Sequence, residues 1–213
     1  MKLFGYYRSS TSYRLRIALN LKRLDYDIEP VNLLKSEQRG EAFTARNPFA
    51  GVPMLDTDGR DRAQSMAILE WLDEAYPEHP LLPSDIEDRF TVRELAYAIA
   101  TELHAPLNLP VLKYLKDPLG HSQDEIDTWY RHWLAKTLAP VEARLAQLGT
   151  NDFLMGAPGL FEVVLLPQVY NARRFAFDFG AMPHIERIEA ACLALDEFRR
   201  AHPDNQTDNP EKD

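Results

Sequence analysis

Leu3-Phe4-Gly5-Tyr6-Tyr7-Arg8-Ser9-Ser10-Thr11-Ser12-Tyr13-Arg14-Leu15-Arg16 opens the chain with an apolar run that meets a group of hydroxyls and then a helical pattern. Leu3 to Tyr7 reads as a buried strand, and Leu15, Ala18 and Leu19 mark a helix over about 12–21. Serine and threonine oxygens cap helix N-termini by accepting orphan N–H groups. Ser9, Ser10 and Thr11 in succession exceed what one cap needs. A strand running straight into a helix also makes an anion site, because free N–H groups and the positive dipole end point out of it. Arg8, Arg14 and Arg16 lie at that end, where a cation costs about 0.3–1 kcal/mol. Something anionic, or a set of acidic partners, has to compensate. Two readings stand: an anion-binding site, or an ordinary capped helix with surface arginines.

The 213 residues suffice for one large domain or two small ones. With 45% hydrophobic and 27% charged residues, the balance is that of a soluble globular protein. A net charge of −9 excludes a general nucleic-acid binder and leaves any anionic ligand to be drawn by local cations. The single cysteine, Cys192, allows no intramolecular disulfide and points to a reducing compartment. No signal peptide is read at the N-terminus, since Arg8 interrupts a short apolar run. No stretch approaches the roughly 18 apolar residues of a membrane span. A cytoplasmic protein with no membrane or nucleic-acid partner is expected.

Tyr26, Ile28 and Val31 mark a second strand, so strand, helix and strand form a βαβ unit with a parallel pair. Pro53 can stand only at the start or edge of a strand, and it holds Val52 extended. Asp56-Thr57-Asp58-Gly59 is a turn between antiparallel strands. Gln64 and Ser65 precede a helical stripe of Met66, Ile68, Leu69 and Leu72, where Ser65 reads as an N-cap, a ligand for an anion, or both. Pro77, Pro80 and Pro83 mark an interdomain linker. Beyond it the pattern is helical. A long helix starts near Ile86, with Pro106 and Pro110 expected to kink or interrupt it just after His104. A second spans 121–148, with Trp129, Tyr130 and Trp133 read as core, and a third spans 160–175 and ends at Arg173-Arg174. A final helix over 184–198 carries Cys192 on its apolar face, and a polar tail over 201–213 is expected to be mobile. No metal-ligand spacing and no Gly-rich phosphate loop occur.

Ser9-Ser10-Thr11-Ser12-Tyr13-Arg14-Leu15-Arg16-Ile17-Ala18-Leu19 resembles the signature S-S-C-x-W-R-V-R-I-A-L of the zeta-class glutathione transferases, the maleylacetoacetate isomerases. Asn47-Pro48, Val52-Pro53 and Gln64-Ser65-Met66-Ala67-Ile68 are similar to the thioredoxin-like half of that family. Leu166-Pro167-Gln168-Val169-Tyr170-Asn171-Ala172-Arg173-Arg174-Phe175 and His202-Pro203-Asp204-Asn205-Gln206 are similar to its C-terminal half and tail. The resemblance implies an α/β thioredoxin-like N-terminal domain (1–78), a linker (79–85) and an all-α C-terminal domain with a polar tail (86–213). It implies glutathione as cofactor, a homodimer, and a small dicarboxylate diketo acid as substrate. Ser9 would hydrogen-bond the glutathione sulfur, with Ser10 and Thr11 lining the same pocket. Gln38 would reach the glycyl end, Val52 would pair with the cysteinyl backbone beside a cis Pro53, and Gln64 and Ser65 would hold the γ-glutamyl carboxylate. His104 and Asn108 occupy ligand-contacting positions, and Arg8 and Arg174 would face the substrate carboxylates.

The chain departs from the family pattern in three places. Thr11 replaces cysteine and Tyr13 replaces tryptophan, which removes thiol–disulfide chemistry but not isomerisation, whose thiol belongs to glutathione. Gly159 with Glu162 stands where a Ser/Thr-x-x-Asp capping box is usual, so some stability should be lost. Leu109-Pro110 follows the asparagine where a polar or basic residue is more common. The activity implied is glutathione-dependent conversion of maleylacetoacetate to fumarylacetoacetate in tyrosine and phenylalanine breakdown. The alternatives are maleylpyruvate isomerisation in the gentisate route, whose enzymes also carry threonine at this position, a general glutathione transferase, and a non-catalytic glutathione-binding protein.

Overall fold

The computed structural model describes residues 1–210. Strand β1 (Lys2–Gly5) leads into helix α1 (Ser10–Leu21), and strand β2 (Asp27–Pro30) returns parallel to β1 with Leu3 opposite Ile28. A 3₁₀ turn (Glu37–Arg39) and the short helix α2 (Glu41–Thr44) lead to strands β3 (Met54–Thr57) and β4 (Arg60–Ala63), which form an antiparallel hairpin. The sheet order is β2-β1-β3-β4, with β1 antiparallel to β3, and helix α3 (Ser65–Ala75) follows. This is the thioredoxin-like arrangement, a mixed sheet whose central strand β1 delivers the chain directly to the N-terminus of α1. Phe4, Val31 and Met54 pack together, with Phe43 and Val52 against them.

Two compact units are distinguished. The first comprises 1–81 together with 193–210, and the second comprises Leu82–Cys192. The segment after Leu193 was read with the C-terminal helices, yet it packs with the first unit. The reason lies in α1, where two polar side chains are aimed at backbone carbonyls of that segment. Arg16 Nε donates to Ala201 O (2.8 Å) and Asn20 Nδ2 donates to Glu197 O (2.8 Å). The expected single helix over 184–198 is therefore two, α9 (Pro183–Leu193) in the second unit and α10 (Asp196–Ala201) in the first. The tail expected to be mobile is packed through Asn209: Gln206 and Asn209 are buried, and Asp208 accepts from the Tyr7 N–H at 2.9 Å. Its last three positions lie outside the described residues.

In the second unit, α4 (Ile86–Tyr97) is capped by Asp85, whose carboxylate accepts from the N–H groups of Glu87 (2.9 Å) and Asp88 (3.1 Å). The helix widens into a π-helical segment over Ala98–Leu103 and continues as α5 (His104–Leu107). A wide turn frees backbone groups and re-aims the side chains that follow it. The helix is then interrupted at Asn108 before α6 (Leu109–Lys116), whose first turn holds Pro110, so the expected interruption falls between Pro106 and Pro110. Helix α7 (Gln123–Gln147) opens with a Ser122/Glu125 capping box. Helix α8 (Leu160–Arg174) is buried without interruption from Leu160 to Val169.

The start of α8 lacks a hydroxyl cap but keeps the acidic half of the box. Glu162 accepts from Gly159 N (2.9 Å) and from Leu154 N (2.7 Å), so it also ties down the preceding loop. Glu162 is almost wholly buried, and burial pushes its carboxyl up to about 7 against the pull of those N–H groups. Cys192 is buried as expected. Burial, then the carboxylates of Glu162 and Glu189, push its thiol well up, which makes it an unreactive core residue.

Candidate functional site

The hydroxyl cluster of the opening stretch takes shape at the N-terminus of α1, which starts two residues earlier than the apolar spacing indicates. Ser9 is the N-cap: its Oγ accepts from Ser12 N at 3.2 Å. Thr11 donates to the carbonyl of Val52 (2.9 Å). A hydroxyl has one hydrogen, so in the 2.9 Å contact between Ser9 Oγ and Thr11 Oγ1, Ser9 is the donor. A directed chain runs from the Ser9 hydroxyl through Thr11 to Val52. It joins the two loops that the resemblance had placed together, and the Val52–Pro53 peptide is cis. Both Ser9 and Thr11 are partly exposed, while Ser10 is buried in the first turn. Capping and site formation are therefore the same structure.

Ser65 reads from the sequence as an N-cap of α3, an anion ligand, or both, and the structure removes the capping role. Gln64 holds that position instead, with φ +71°, and Ser65 begins the helix proper, nearly buried. A non-glycine residue at positive φ is uncommon and marks a local constraint. Gln38 is buried in its 3₁₀ turn, and its amide oxygen has no partner. Arg8 lies with its guanidinium 5.2 Å from the Tyr7 ring centre.

Arg14 and Arg16 are not surface arginines: they are 1% and 2% exposed. Arg16 is compensated by carbonyls, Ala201 O (2.8 Å) and Tyr7 O (2.9 Å). Arg14 donates to Ser65 Oγ at 3.3 Å. Burial of Arg14 was not legible from sequence, because helical periodicity places it beside Tyr13 and Leu15 without revealing that polar partners lie inside.

In the second unit, His104 stands at the start of α5, half-buried, with its Nδ1 3.1 Å from Gln168 Nε2. An amide nitrogen only donates, so Nδ1 accepts and the neutral ring carries its hydrogen on Nε2. Gln168, buried on α8, belongs to the quoted helical motif but was not singled out; its signal was a polar residue inside an apolar run. Asn108 is exposed and caps α6, accepting from Leu109 N at 2.8 Å. Arg173 and Arg174 close α8, both exposed. Arg173 pairs with Glu186 (3.3 Å) and Glu189 (2.5 Å), whereas Arg174 makes no ion pair among the described residues. Tyr130 on α7 stacks on Phe175 at 3.6 Å between ring centres, just past Arg174. Burial raises the Tyr130 phenol and the charge of Arg174 partly offsets this. Among the described residues no group of three or more His, Cys, Asp or Glu side chains could hold a metal ion, and no helix is long and apolar enough to cross a membrane.

The chemistry available is thus a hydroxyl donor at a helix N-terminus, a second helix N-terminus backed by a buried cation, and, in the second unit, a tautomer-fixed histidine and an arginine with no ion pair among the described residues. Residues 8–75 match the family model of the glutathione S-transferase N-terminal domain. Over 99% of its length the chain is 42% identical to a maleylacetoacetate isomerase of Pseudomonas aeruginosa, covering 99% of that protein. It is also 42% identical to a maleylpyruvate isomerase of Ralstonia, covering 98% of this chain and all of that one. A solved maleylacetoacetate isomerase of Methylobacterium extorquens, with malonate and glutathione bound, superposes with a TM-score of 0.94 at 34% identity, over 99% of this chain and 100% of that chain. The fold, the motifs and these full-length likenesses agree: the chain belongs to the zeta-class glutathione transferases, the maleylacetoacetate isomerase family.

Proposed function

We propose that this protein is a glutathione-dependent cis–trans isomerase converting maleylacetoacetate to fumarylacetoacetate. The observation that carries the reading is the hydroxyl chain from Ser9 through Thr11 to the Val52 carbonyl at the N-terminus of α1. It combines an O–H donor, free helix N–H groups and the positive dipole end, the means by which a thiolate is stabilised. The unpartnered amide oxygen of Gln38 fits a ligand that brings peptide N–H groups. When bound, glutathione supplies a thiol that adds to the cis double bond, allows rotation about the resulting single bond, and leaves unchanged.

The chain's own residues do the rest. Ser9 holds the sulfur as an anion by donating its hydroxyl hydrogen. Val52 offers backbone groups to the cysteinyl portion, Ser10 and Thr11 support the same wall, and Gln38 meets the glycyl end. Gln64 and Ser65 hold the γ-glutamyl carboxylate. Arg8 and Arg174 bind the substrate carboxylates and stabilise the charge that develops beside them, since a guanidinium offers paired donors of fixed geometry. His104, with Nε2–H set by Gln168, is a hydrogen-bond donor to ligand, and Asn108 lies near it in sequence as the cap of α6. We infer further that the chain works as a homodimer in the cytoplasm. Exposed Phe49 (70%) and Phe90 (63%) supply apolar surface for self-association, and a lone buried thiol suits a reducing compartment.

The test is turnover of maleylacetoacetate and of maleylpyruvate, each with and without glutathione. Isomerisation of maleylacetoacetate that requires glutathione without consuming it is expected. Equal rates in its absence refute the mechanism, faster turnover of maleylpyruvate assigns the gentisate route, and tight glutathione binding with no turnover leaves a binding protein.

A further inference from the structure

Arg14 is a buried cation with no acid beside it. Charged groups that leave water are ordinarily paired, and the neighbouring basic residues of α1 obey this. Lys22 has Asp73 at 3.0 Å and two carbonyls, and Arg16 has two carbonyls. The guanidinium of Arg14 makes a single hydrogen bond, to Ser65 Oγ, while its Nε and other Nη find no acceptor. Burial lowers its pKa to about 9, so it is still charged at neutral pH. Ser65 in turn accepts from Arg14, which leaves its own hydrogen for an acceptor on another side. Helix α3 spans 11 residues, carries no acidic residue in its first turn, and receives no side-chain cap from Gln64. Its dipole is therefore not neutralised from within. A free helix N-terminus, a hydroxyl with an uncommitted hydrogen, and an uncompensated buried cation behind it together lack one thing, an anion.

We propose that Arg14 is a positioning residue that acts through Ser65 to supply the countercharge for the α-carboxylate of the γ-glutamyl group at the N-terminus of α3. This deepens the glutathione reading above and rests on it. The cation stays buried because its charge is matched when ligand arrives, and low-dielectric surroundings keep its field from being screened.

Calorimetric binding to the full chain tests it, with two probes: glutathione, and the analogue bearing γ-aminobutyryl in place of γ-glutamyl, which lacks that one carboxylate. For Arg14→Met, glutathione affinity is expected to fall about tenfold, while affinity for the analogue stays within about twofold. Arg14→Lys retains the charge and should recover most of the loss. Removing a buried charge that has no acid partner should not lower the thermal midpoint of Arg14→Met. Unchanged glutathione affinity, or an equal loss for both probes, overturns the assignment, as does a fall in midpoint with the preference for the carboxylate intact. If the unaltered protein binds no glutathione, the glutathione reading falls first and the role of Arg14 with it. If it binds glutathione and the analogue equally well, only the role of Arg14 falls.

Discussion

Replacement of Ser9 separates two duties that the structure gives to one oxygen. As N-cap, Ser9 Oγ accepts from Ser12 N; as the head of the hydroxyl chain, it donates toward Thr11. Ser9→Ala removes both. Loss of a cap costs about 1 kcal/mol of stability, tolerable for a domain holding roughly 5–15 kcal/mol. Loss of a hydrogen bond to a sulfur anion costs about 1.5–3 kcal/mol, which raises the thiol pKa of bound glutathione by about 1–2 units. At neutral pH the thiolate fraction, and kcat with it, should fall about tenfold to about 150-fold. Ser9→Asp keeps a good capping oxygen but has no hydrogen to donate. It should therefore keep stability near that of the unaltered protein while its thiol pKa rises at least as far as in Ser9→Ala. The assays are thiolate absorbance against pH for bound glutathione, steady-state isomerisation, and urea unfolding. The reasoning is refuted if Ser9→Ala leaves the thiol pKa where it was, or if the loss of turnover in the two variants follows their stabilities.

Arg174→Ala should raise KM for the diacid more than it lowers kcat, since an arginine with no ion pair among the described residues is available to bind a carboxylate; a larger change in kcat speaks against binding as its role. Arg16→Met should destabilise the protein by about 2–4 kcal/mol, because two buried carbonyls, on Tyr7 and Ala201, lose their donor, and amide exchange over 196–206 should accelerate with it. An unchanged urea midpoint would show that the last helix is held by something else. Glu162 carries a pH dependence whose sign is fixed by its raised pKa, about 7 when folded against 4.5 as the ordinary value. The folded state holds the proton more tightly, so the stability this group contributes is full below about pH 4.5 and is lost as pH rises through about 7. Glu162→Gln should flatten that slope in thermal melts between pH 5 and 8, and a slope that persists in the variant assigns it to other groups.

The first βαβ unit, the hairpin at Asp56–Gly59 and the hydroxyl cluster could all be read from the chain because local rules govern them. Alternation, turn residues and caps need no knowledge of distant contacts. What escaped reading was set by long-range partners. The break between α9 and α10 depends on Arg16 and Asn20 reaching carbonyls more than 170 residues away in sequence. The π-helical turn at Ala98–Leu103 has no local signal in the sequence, whereas the interruption at Asn108 falls where Pro106 and Pro110 led it to be expected. The capping half of the Ser65 reading fails because cap chemistry and first-turn chemistry use the same residue types, and Gln64 takes the cap position. Gln168 escaped because a glutamine in an apolar helix shows its purpose only when its partner, His104, is placed. Arg14 escaped for the same reason, with its single hydrogen bond lying on another helix.

Thr11 shows how one substitution redirects a site without dismantling it. The family signature has cysteine at this position, and a thiol is a weak donor and a weak acceptor. A hydroxyl forms stronger bonds, so here it holds both the Val52 carbonyl and the Ser9 hydrogen at 2.9 Å. The loop bearing the cis proline and the N-terminus of α1 are thereby tied through side chains as well as through the sheet. The same bond sets a condition on function. Ser9 has a single hydrogen, and it points at Thr11 until a better acceptor arrives; only an anion outbids a neutral hydroxyl by the margin that charge-assisted bonds supply. On the proposed role of Ser9, Thr11 would keep that hydrogen partnered when no sulfur is near and yield it to a thiolate in preference to a thiol. That bias would favour ionised glutathione, without a second oxidisable sulfur in the site.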